Sequence, residues 1–313
     1  MIFTVCNAHS NGIANLPRKG SRFGDNLLGY CKAKWIAYKY NLPFYLKVFP
    51  HAQELALAQK DSLLSAGIRK GYTQEVHVTR QKINWLQESR TLYYLSLNTK
   101  SIAWSITNTD SLFMQFRQEL QELISPVRKP SLPTLPHDMI SVAVHVRKGG
   151  GYDRPLLSDN PDKTEPYPTG THYADQIWPL KFPPDTFYID QIRYLYTYFG
   201  NQPLYVYIFT DDKNPPEIVR TFSSALSDCQ LQFACRDTEN GPDKNVIDDL
   251  MGLSIFDCLI RPTSNFSVCA QLIGNHQIII WPKQYHWEHA QLIIDDVTVY
   301  IPSRTSSLCK NII

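Results

Sequence analysis

The sequence lacks the patterns that mark several common classes of protein. Its 7 cysteines form no C-x-x-C pair and are widely spread, so neither a disulfide scaffold nor a zinc ribbon is predicted. No apolar run approaches the roughly 18 residues of a membrane span. With 31 basic and 29 acidic side chains, the net charge is +2, and no strong field draws the chain onto nucleic acid. We therefore expect a cytoplasmic protein without a membrane span and without a nucleic-acid partner.

Motifs for several cofactors and metals are absent as well. No G-x-G-x-x-G follows a predicted strand, and Gly149–Gly151 is not followed by G-K-[ST], which disfavours a dinucleotide dehydrogenase and a P-loop. His286 and His289 do not have the H-E-x-x-H arrangement of zinc proteases. No D-x-D pair occurs at a predicted strand end, because Asp211-Asp212 and Asp295-Asp296 are adjacent and neighbouring strand residues point to opposite faces. We expect no metal site.

The composition is that of a globular protein of two domains. A chain of 313 residues with 43% apolar residues exceeds the usual size of one hydrophobic core. Segment 125–136 contains prolines 126, 130, 133 and 136, which cannot continue a helix or a central strand and are typical of a stiff linker. We therefore predict domains of residues 1–136 and 137–313.

Both predicted domains alternate strands and helices, which indicates a doubly wound α/β class. In the first domain we predict strands at 2–6 and 44–48 and helices at 26–40, 53–65 and 112–124. In the second we predict strands at 140–146, 204–209, 231–235, 258–261 and 277–281, and helices at 187–199, 216–227, 245–256 and 266–274.

Polar residues follow the predicted strands of the second domain, where the ligands of open parallel sheets bind. Arg147 follows one strand, Asp211 and Asp212 follow the next, and Ser264–Ser267 opens a helix after another. An arginine binds phosphate oxygens, carboxylates accept hydrogen bonds from a base or ribose, and a helix N-terminus favours phosphate. These residue types predict a site for an anionic nucleotide. A surface ion pair, a plain turn and an N-cap remain the alternative interpretations.

Four short motifs occur in order along the chain: Gly20–Asn26, His145-Val-Arg147-Lys, Phe209–Asp212, and Asp249–Asp257 followed by Ser264–Ser267. Together they resemble the fucosyltransferase superfamily, which includes core-fucosylating, blood-group-type, nodulation and protein O-fucosyltransferases. In the family, the first motif reads G-x-G-N or R-F-G-N, and the second reads H-x-R-R. The third is a strand that ends in T-D-D or S-D-D. The fourth is an aspartate, a helix, a second aspartate and a strand, followed by S-x-F-S.

The resemblance implies a GT-B fold, in which two Rossmann-like, doubly wound domains face a cleft. Residues 1–136 would form the acceptor side, and residues 137–313 would hold most of the GDP-sugar. Among the site residues that the resemblance implies, Arg147 would contact the diphosphate, whereas Gly24 and Asn26 would approach the donor from the first domain. The donor-binding residues carried over from the family are Gly24, His145, Arg147, Asp211, Asp212, Asp249, Ser264, Phe266 and Ser267.

The expected chemistry is an inverting displacement without a metal. Departure of GDP leaves negative charge on the β-phosphate, which a preorganised arginine stabilises. The catalytic residues that the resemblance implies are Arg147, Asn26 and Asp153, and the candidates for the general base are Asp153, Asp25 and Glu165.

The sequence departs from the family pattern at two places. Lys148 stands where the family has a second arginine, so bidentate recognition of a phosphate is lost at that position while the charge remains. Gly149–Gly151 separates the motif from Asp153, where many relatives have an aspartate almost directly after the arginines.

We therefore expect a fucosyltransferase that uses GDP-fucose as donor substrate, needs no cofactor, and acts on a hydroxyl of a glycan or glycosylated acceptor. The interleaved aromatic and polar residues of His172–Pro184 are a candidate acceptor loop. Two alternatives stay open. One is a GT-B transferase of another nucleotide sugar, and the other is a non-catalytic nucleotide- or glycan-binding relative, which the Lys148 departure favours.

Overall fold

The computed structural model describes residues 11–79, 83–87, 89–99, 107, 110–148, 179–237, 240–241, 244–289 and 291–302. The chain divides into two compact units. The first comprises Met1–Ser131 with Val268–Ile273, and the second comprises Leu132–Ser267 with Gly274–Ile313. The main division, after Ser131, lies inside the proline-rich segment. Within the described ranges, every helix is too short or too polar to span a bilayer.

The first unit is built on a parallel sheet with the strand order β3-β2-β1-β5-β4. The chain passes from β1 outward to β3 and then returns to the other side of β1, which is the doubly wound arrangement. The strands are β1 (Gly12–Asn15), β2 (Phe44–Leu46), β3 (Ser62–Leu63), β4 (Gln74–Val78) and β5 (Thr91–Leu95), and the helices are α1 (Phe23–Tyr40), α2 (Leu57–Lys60), α3 (Ala66–Lys70) and α4 (Ser111–Leu123).

Helix α1 packs against the sheet through apolar residues at helical spacing. Leu27, Cys31 and Trp35 are four residues apart, lie on one face and are buried. Gly29 permits a close approach to the chain after β5, because a Cβ there would lie 3.1 Å from the backbone nitrogen of Leu97. The helix is thus fixed on β1 and β5, and its first turn lies after the carboxyl end of β1.

The second unit contains a larger sheet with the order β11-β10-β9-β6-β7-β8. All pairings are parallel except that of β10 with β11. The strands are β6 (Ile140–Val146), β7 (Leu204–Thr210), β8 (Leu231–Cys235), β9 (Cys258–Ile260), β10 (Ile278–Glu288) and β11 (Gln291–Tyr300), and the helices are α5 (Asp185–Tyr198), α6 (Pro215–Ala225) and α7 (Val246–Ser254). Helix α8 (Asn265–Ile273) begins in this unit, and its residues Val268–Ile273 belong to the first.

Two inner strands of this sheet are buried, and the strand order reverses beside one of them. Strands β6 and β7 are apolar, β-branched and almost entirely buried, as strands covered on both faces are. The chain runs from β6 to β7 and β8, and then crosses back to place β9 on the other side of β6. The point where the strand order reverses therefore lies between β6 and β9, and ligands of such sheets bind beyond the carboxyl ends of the strands there.

The predicted α/β class with two Rossmann-like units is confirmed. The helix predicted at 53–65 is wrong, because the chain forms a 3₁₀ turn, the short helix α2 and strand β3 there. Strands β1, β4, β5 and β11 were not predicted, and the strand expected at 2–6 lies outside the described residues.

Candidate functional site

Arg147 is the first residue after β6, and Asp211 is the first residue after β7. The register of these parallel strands pairs Val146 with Thr210, so the next residue of each strand comes side by side. The Nε of Arg147 lies 3.0 Å from Oδ2 of Asp211, and both side chains are less than a tenth exposed. The other carboxylate oxygen of Asp211 accepts the backbone N–H of Lys148 at 3.0 Å. Asp211 thus orients both the guanidinium and the chain that leaves β6.

His145 is the second buried polar side chain at this edge. It lies two residues before Arg147, and its ring centroid is 5.7 Å from that of Phe266. Burial, together with the nearby positive charge of Arg147, lowers the pKa of His145 to about 3, so the imidazole is neutral at physiological pH. Its Nδ1 is buried and has no hydrogen-bond partner in the part of the chain that the structure describes. A buried polar nitrogen of this kind is suited to bind a ligand.

Asp212 has a different environment from Asp211. Its Oδ1 accepts the backbone N–H of Asn214 at 2.7 Å, and its own N–H donates to Oγ1 of Thr210 at 3.1 Å. Asn240 donates from Nδ2 to the carbonyl oxygen of Thr210 at 2.8 Å. These bonds build the turn that leads into α6. Of the two aspartates that the family motif left as alternatives, Asp211 is the one that contacts Arg147.

Lys148 extends its ammonium group to another carboxylate. Its Nζ donates to Oδ1 of Asp185, the first residue of α5. The lysine that stands in place of a second arginine is therefore held by an ion pair at the start of that helix.

The start of α8 lies in the same unit and at the same edge of the sheet. Ser264 and Ser267 are buried, and the hydroxyl of Ser267 donates to the carbonyl oxygen of Ser264 at 3.1 Å. Phe266 contacts the ring of His145. The structure thus brings the H-x-R motif together with the aromatic residue of the S-x-F-S motif, as the resemblance implies.

Asp249 lies in the first turn of α7 and forms an ion pair with Arg236, the first residue after β8. Burial raises the pKa of Asp249 to about 6, and the charge of Arg236 opposes that rise. Arg236 was not predicted from the sequence, because a single arginine after a short strand belongs to no recognisable motif.

Arg261 and Trp281 were also missed. They follow Ile260 and Ile280, which are paired across β9 and β10, so the strand register brings the two side chains together. The Cζ of Arg261 lies 4.6 Å from the centroid of the Trp281 ring. The sequence signal for Arg261 was a basic residue at the end of the predicted strand that precedes the S-x-F-S motif.

In the first unit, Asn26 organises the loop that contains Gly20. Its Oδ1 accepts the backbone N–H of Arg18 at 3.0 Å, and its Nδ2 donates to the carbonyl oxygen of Ser21 at 3.1 Å. Gly24 is buried and Asp25 is half-buried in the first turn of α1. The loop is therefore closed by a residue of the motif itself.

Several sequence-predicted residues lie outside the described ranges: Gly149–Gly151, Asp153, Glu165 and most of the loop from His172. Within those ranges no group of three or more histidine, cysteine, aspartate or glutamate side chains is arranged to hold a metal ion.

Comparison with known proteins identifies the fold. A mutant of Arabidopsis thaliana FUT1 in complex with GDP has a TM-score of 0.51 and 11% sequence identity, over 88% of this chain and 71% of that chain. POFUT1 in complex with GDP-fucose has a TM-score of 0.44 and 13% identity, over 87% of this chain and 96% of that chain. NodZ alpha-1,6-fucosyltransferase soaked with GDP-fucose has a TM-score of 0.40 and 12% identity, over 94% of this chain and 99% of that chain.

No family model and no curated protein matches the chain. The likeness to FUT1 is one of fold. The chain therefore has a GT-B-like fold, as the resemblance implies.

Proposed function

We propose that this chain is a glycosyltransferase that transfers fucose from GDP-fucose to a hydroxyl of a glycan or glycosylated acceptor. The observation that carries the proposal is the buried Arg147, which Asp211 orients beside a neutral His145 at the carboxyl end of β6. The fold that the chain shares with FUT1, a structure that contains GDP, supports a guanine nucleotide as the ligand.

The proposed chemistry is an inverting displacement at the anomeric carbon. The acceptor oxygen forms a bond to that carbon as the bond to the β-phosphate oxygen breaks, and the electron pair leaves with GDP. Arg147 stabilises the charge that develops on the β-phosphate, which in enzymes is worth roughly 3–4 kcal/mol for a single preorganised donor. The acceptor proton passes to a carboxylate, for which Asp25, Asp153 and Glu165 remain the candidates.

His145 binds the nucleotide as a neutral group in this proposal. A neutral imidazole donates from one nitrogen and accepts at the other, whereas a protonated one only donates. Its buried Nδ1 then forms a hydrogen bond with the donor, and Phe266 covers the face of the bound nucleotide next to it.

The experiment is a donor-hydrolysis assay without an acceptor, which measures release of GDP from GDP-fucose, with GDP-mannose and a UDP-sugar in parallel. We expect release from GDP-fucose above the buffer rate and slower release from the other two. A glycan mixture added with labelled GDP-fucose then tests transfer. Absence of both hydrolysis and transfer, with GDP bound, contradicts the proposed activity.

A second candidate is a non-catalytic protein that binds a GDP-sugar or glycan. The contact of Lys148 with Asp185 favours it, because the group in place of the second arginine is engaged by a carboxylate. Binding of GDP-fucose without hydrolysis or transfer distinguishes this candidate from the enzyme.

A further inference from the structure

Arg261 is a buried charged residue that belongs to none of the motifs. It is 3% exposed, and such burial is rare for arginine. Burial lowers the pKa of Arg261 to about 9, so the side chain still carries its charge at neutral pH. Removing a guanidinium from water is costly, and apolar residues of similar volume are often equally stable in such places. The position therefore calls for a reason beyond packing.

The contacts of Arg261 fix the short segment before α8. Its guanidinium lies over the ring of Trp281, and its Nη1 donates to the carbonyl oxygen of Pro262 at 3.1 Å. The same carbonyl oxygen accepts the backbone N–H of Ser264 at 2.8 Å. The N–H of Thr263 donates to the carbonyl oxygen of Leu180 at 2.8 Å. Arg261 thus determines where the chain turns from β9 into the helix.

The strand register also places Arg261 beside the candidate site. Val144 pairs with Ile260 across β6 and β9, so His145 and Arg261 are the next residues of neighbouring strands. The positive charge of Arg261 is one of the causes that lower the pKa of His145, after burial and Arg147. This pair of strands flanks the point where the strand order reverses.

We propose that Arg261 is a positioning residue for the diphosphate of the nucleotide, because it holds the Pro262–Ser264 segment and adds a fixed positive charge beside His145 and Arg147. The inference rests on the proposed function, since it assumes a guanine nucleotide at this edge of the sheet.

The test compares the affinities of GDP and guanosine by titration calorimetry. In Arg261→Met the charge is lost while the volume is nearly kept, and we expect GDP affinity to fall about tenfold or more. Guanosine affinity should stay at the parent level, since guanosine has no phosphate. Arg261→Lys should recover part of the GDP affinity, because lysine keeps the charge but not the planar guanidinium. The matched control is Arg193→Met, which removes an exposed arginine paired with Asp228.

Three results overturn the inference: unchanged GDP affinity in folded Arg261→Met, an equal loss for GDP and guanosine, or no recovery in Arg261→Lys. The equal loss would indicate a merely structural role. If Arg261→Met does not fold, Trp281→Leu serves instead, because it removes the ring under the guanidinium and leaves the charge; unchanged GDP affinity there also overturns the inference. If the parent binds no GDP, the proposed function itself fails, which the parent titration reveals separately.

Discussion

Asp211 binds Arg147 with one carboxylate oxygen and the backbone N–H of Lys148 with the other. Because Arg147 and Asp211 are the first residues after neighbouring strands and Lys148 comes next after Arg147, a single buried carboxylate contacts both the guanidinium and the chain that leaves β6. Asp212, its neighbour in sequence, closes a turn among the described residues. Two adjacent aspartates of one motif therefore have separate tasks.

Substitution of Arg147 tests the proposed chemistry. Arg147→Ala should lower the turnover of GDP-fucose by roughly 100- to 1000-fold, the loss seen when one donor to a developing oxyanion is removed. The measurement is GDP release under saturating donor, with thermal unfolding as the check of folding. Arg193→Ala on α5 is the control and should keep parental turnover. Turnover of Arg147→Ala within a few-fold of the parent would place the diphosphate elsewhere.

The two aspartates should respond differently to the same change. Asp211→Asn leaves the buried guanidinium of Arg147 without its charged partner, and the free energy of unfolding should fall by roughly 3 kcal/mol or more. Asp212→Asn keeps an oxygen that can accept the N–H of Asn214, so the loss should be below about 1 kcal/mol. Chemical denaturation measures both. An equal loss of unfolding free energy in the two variants would contradict the inference that Asp211 and Asp212 have different roles.

Acidification should destabilise the chain through His145. Its pKa falls from an ordinary value of 6.5 to about 3 in the folded state, so between these values the unfolded chain binds more protons. The part of the free energy of unfolding that depends on a neutral His145 is fully present above pH 6.5 and is lost as the pH falls toward 3. Between pH 6.5 and 5 it amounts to about 2 kcal/mol, at about 1.4 kcal/mol per pH unit.

The variant His145→Gln isolates this contribution. Denaturant unfolding at several pH values should give a shallower loss of stability below pH 6.5 for the variant than for the parent, because glutamine does not titrate. Parallel curves for the two proteins would show that His145 is protonated in the folded state as readily as in the unfolded chain.

Turnover should survive chelation of divalent metals. In the second unit, Asp211 is bound to Arg147, while Asp295 and Asp296 on β11 pair with His286 and Lys283. These carboxylates are therefore engaged by cationic or titratable side chains. Excess EDTA should leave GDP release from GDP-fucose unchanged. Loss of release on chelation and its return with Mn²⁺ would mean that a metal bridges the diphosphate, a contribution of several kcal/mol.

The strands of the second unit other than β11, together with the motif positions, could be predicted because their signals are local. Strands β6 and β7 are continuous apolar runs, and helix α4 has clear amphipathic spacing together with an Asp110 cap that accepts the N–H of Phe113. The residues that carry charge at the strand ends follow from the rule that ligands of parallel sheets bind there. Arg147, Asp211 and the start of α8 were selected as site candidates in this way.

The features that were missed depend on contacts distant in sequence. The helix expected at 53–65 is interrupted because Ala56 donates its N–H to Ser125 and Leu64 donates its N–H to Leu46, so tertiary hydrogen bonds replace helical ones. The pairing of Arg261 with Trp281 spans 20 positions and becomes visible only when the register of β9 and β10 is known. Strand β11 is an antiparallel edge strand whose adjacent charges obscure the alternation typical of strands.

The most direct test of the central claim is a thermal-shift panel of GDP, UDP, CMP and ADP on the whole chain. A ligand that binds only the folded state adds about 2.7 kcal/mol at a concentration of 100 times its Kd. We expect GDP to raise the melting temperature, and we expect this rise to be lost in Arg147→Ala. A rise with UDP and none with GDP would contradict the assignment of a GDP-sugar site at the carboxyl end of β6.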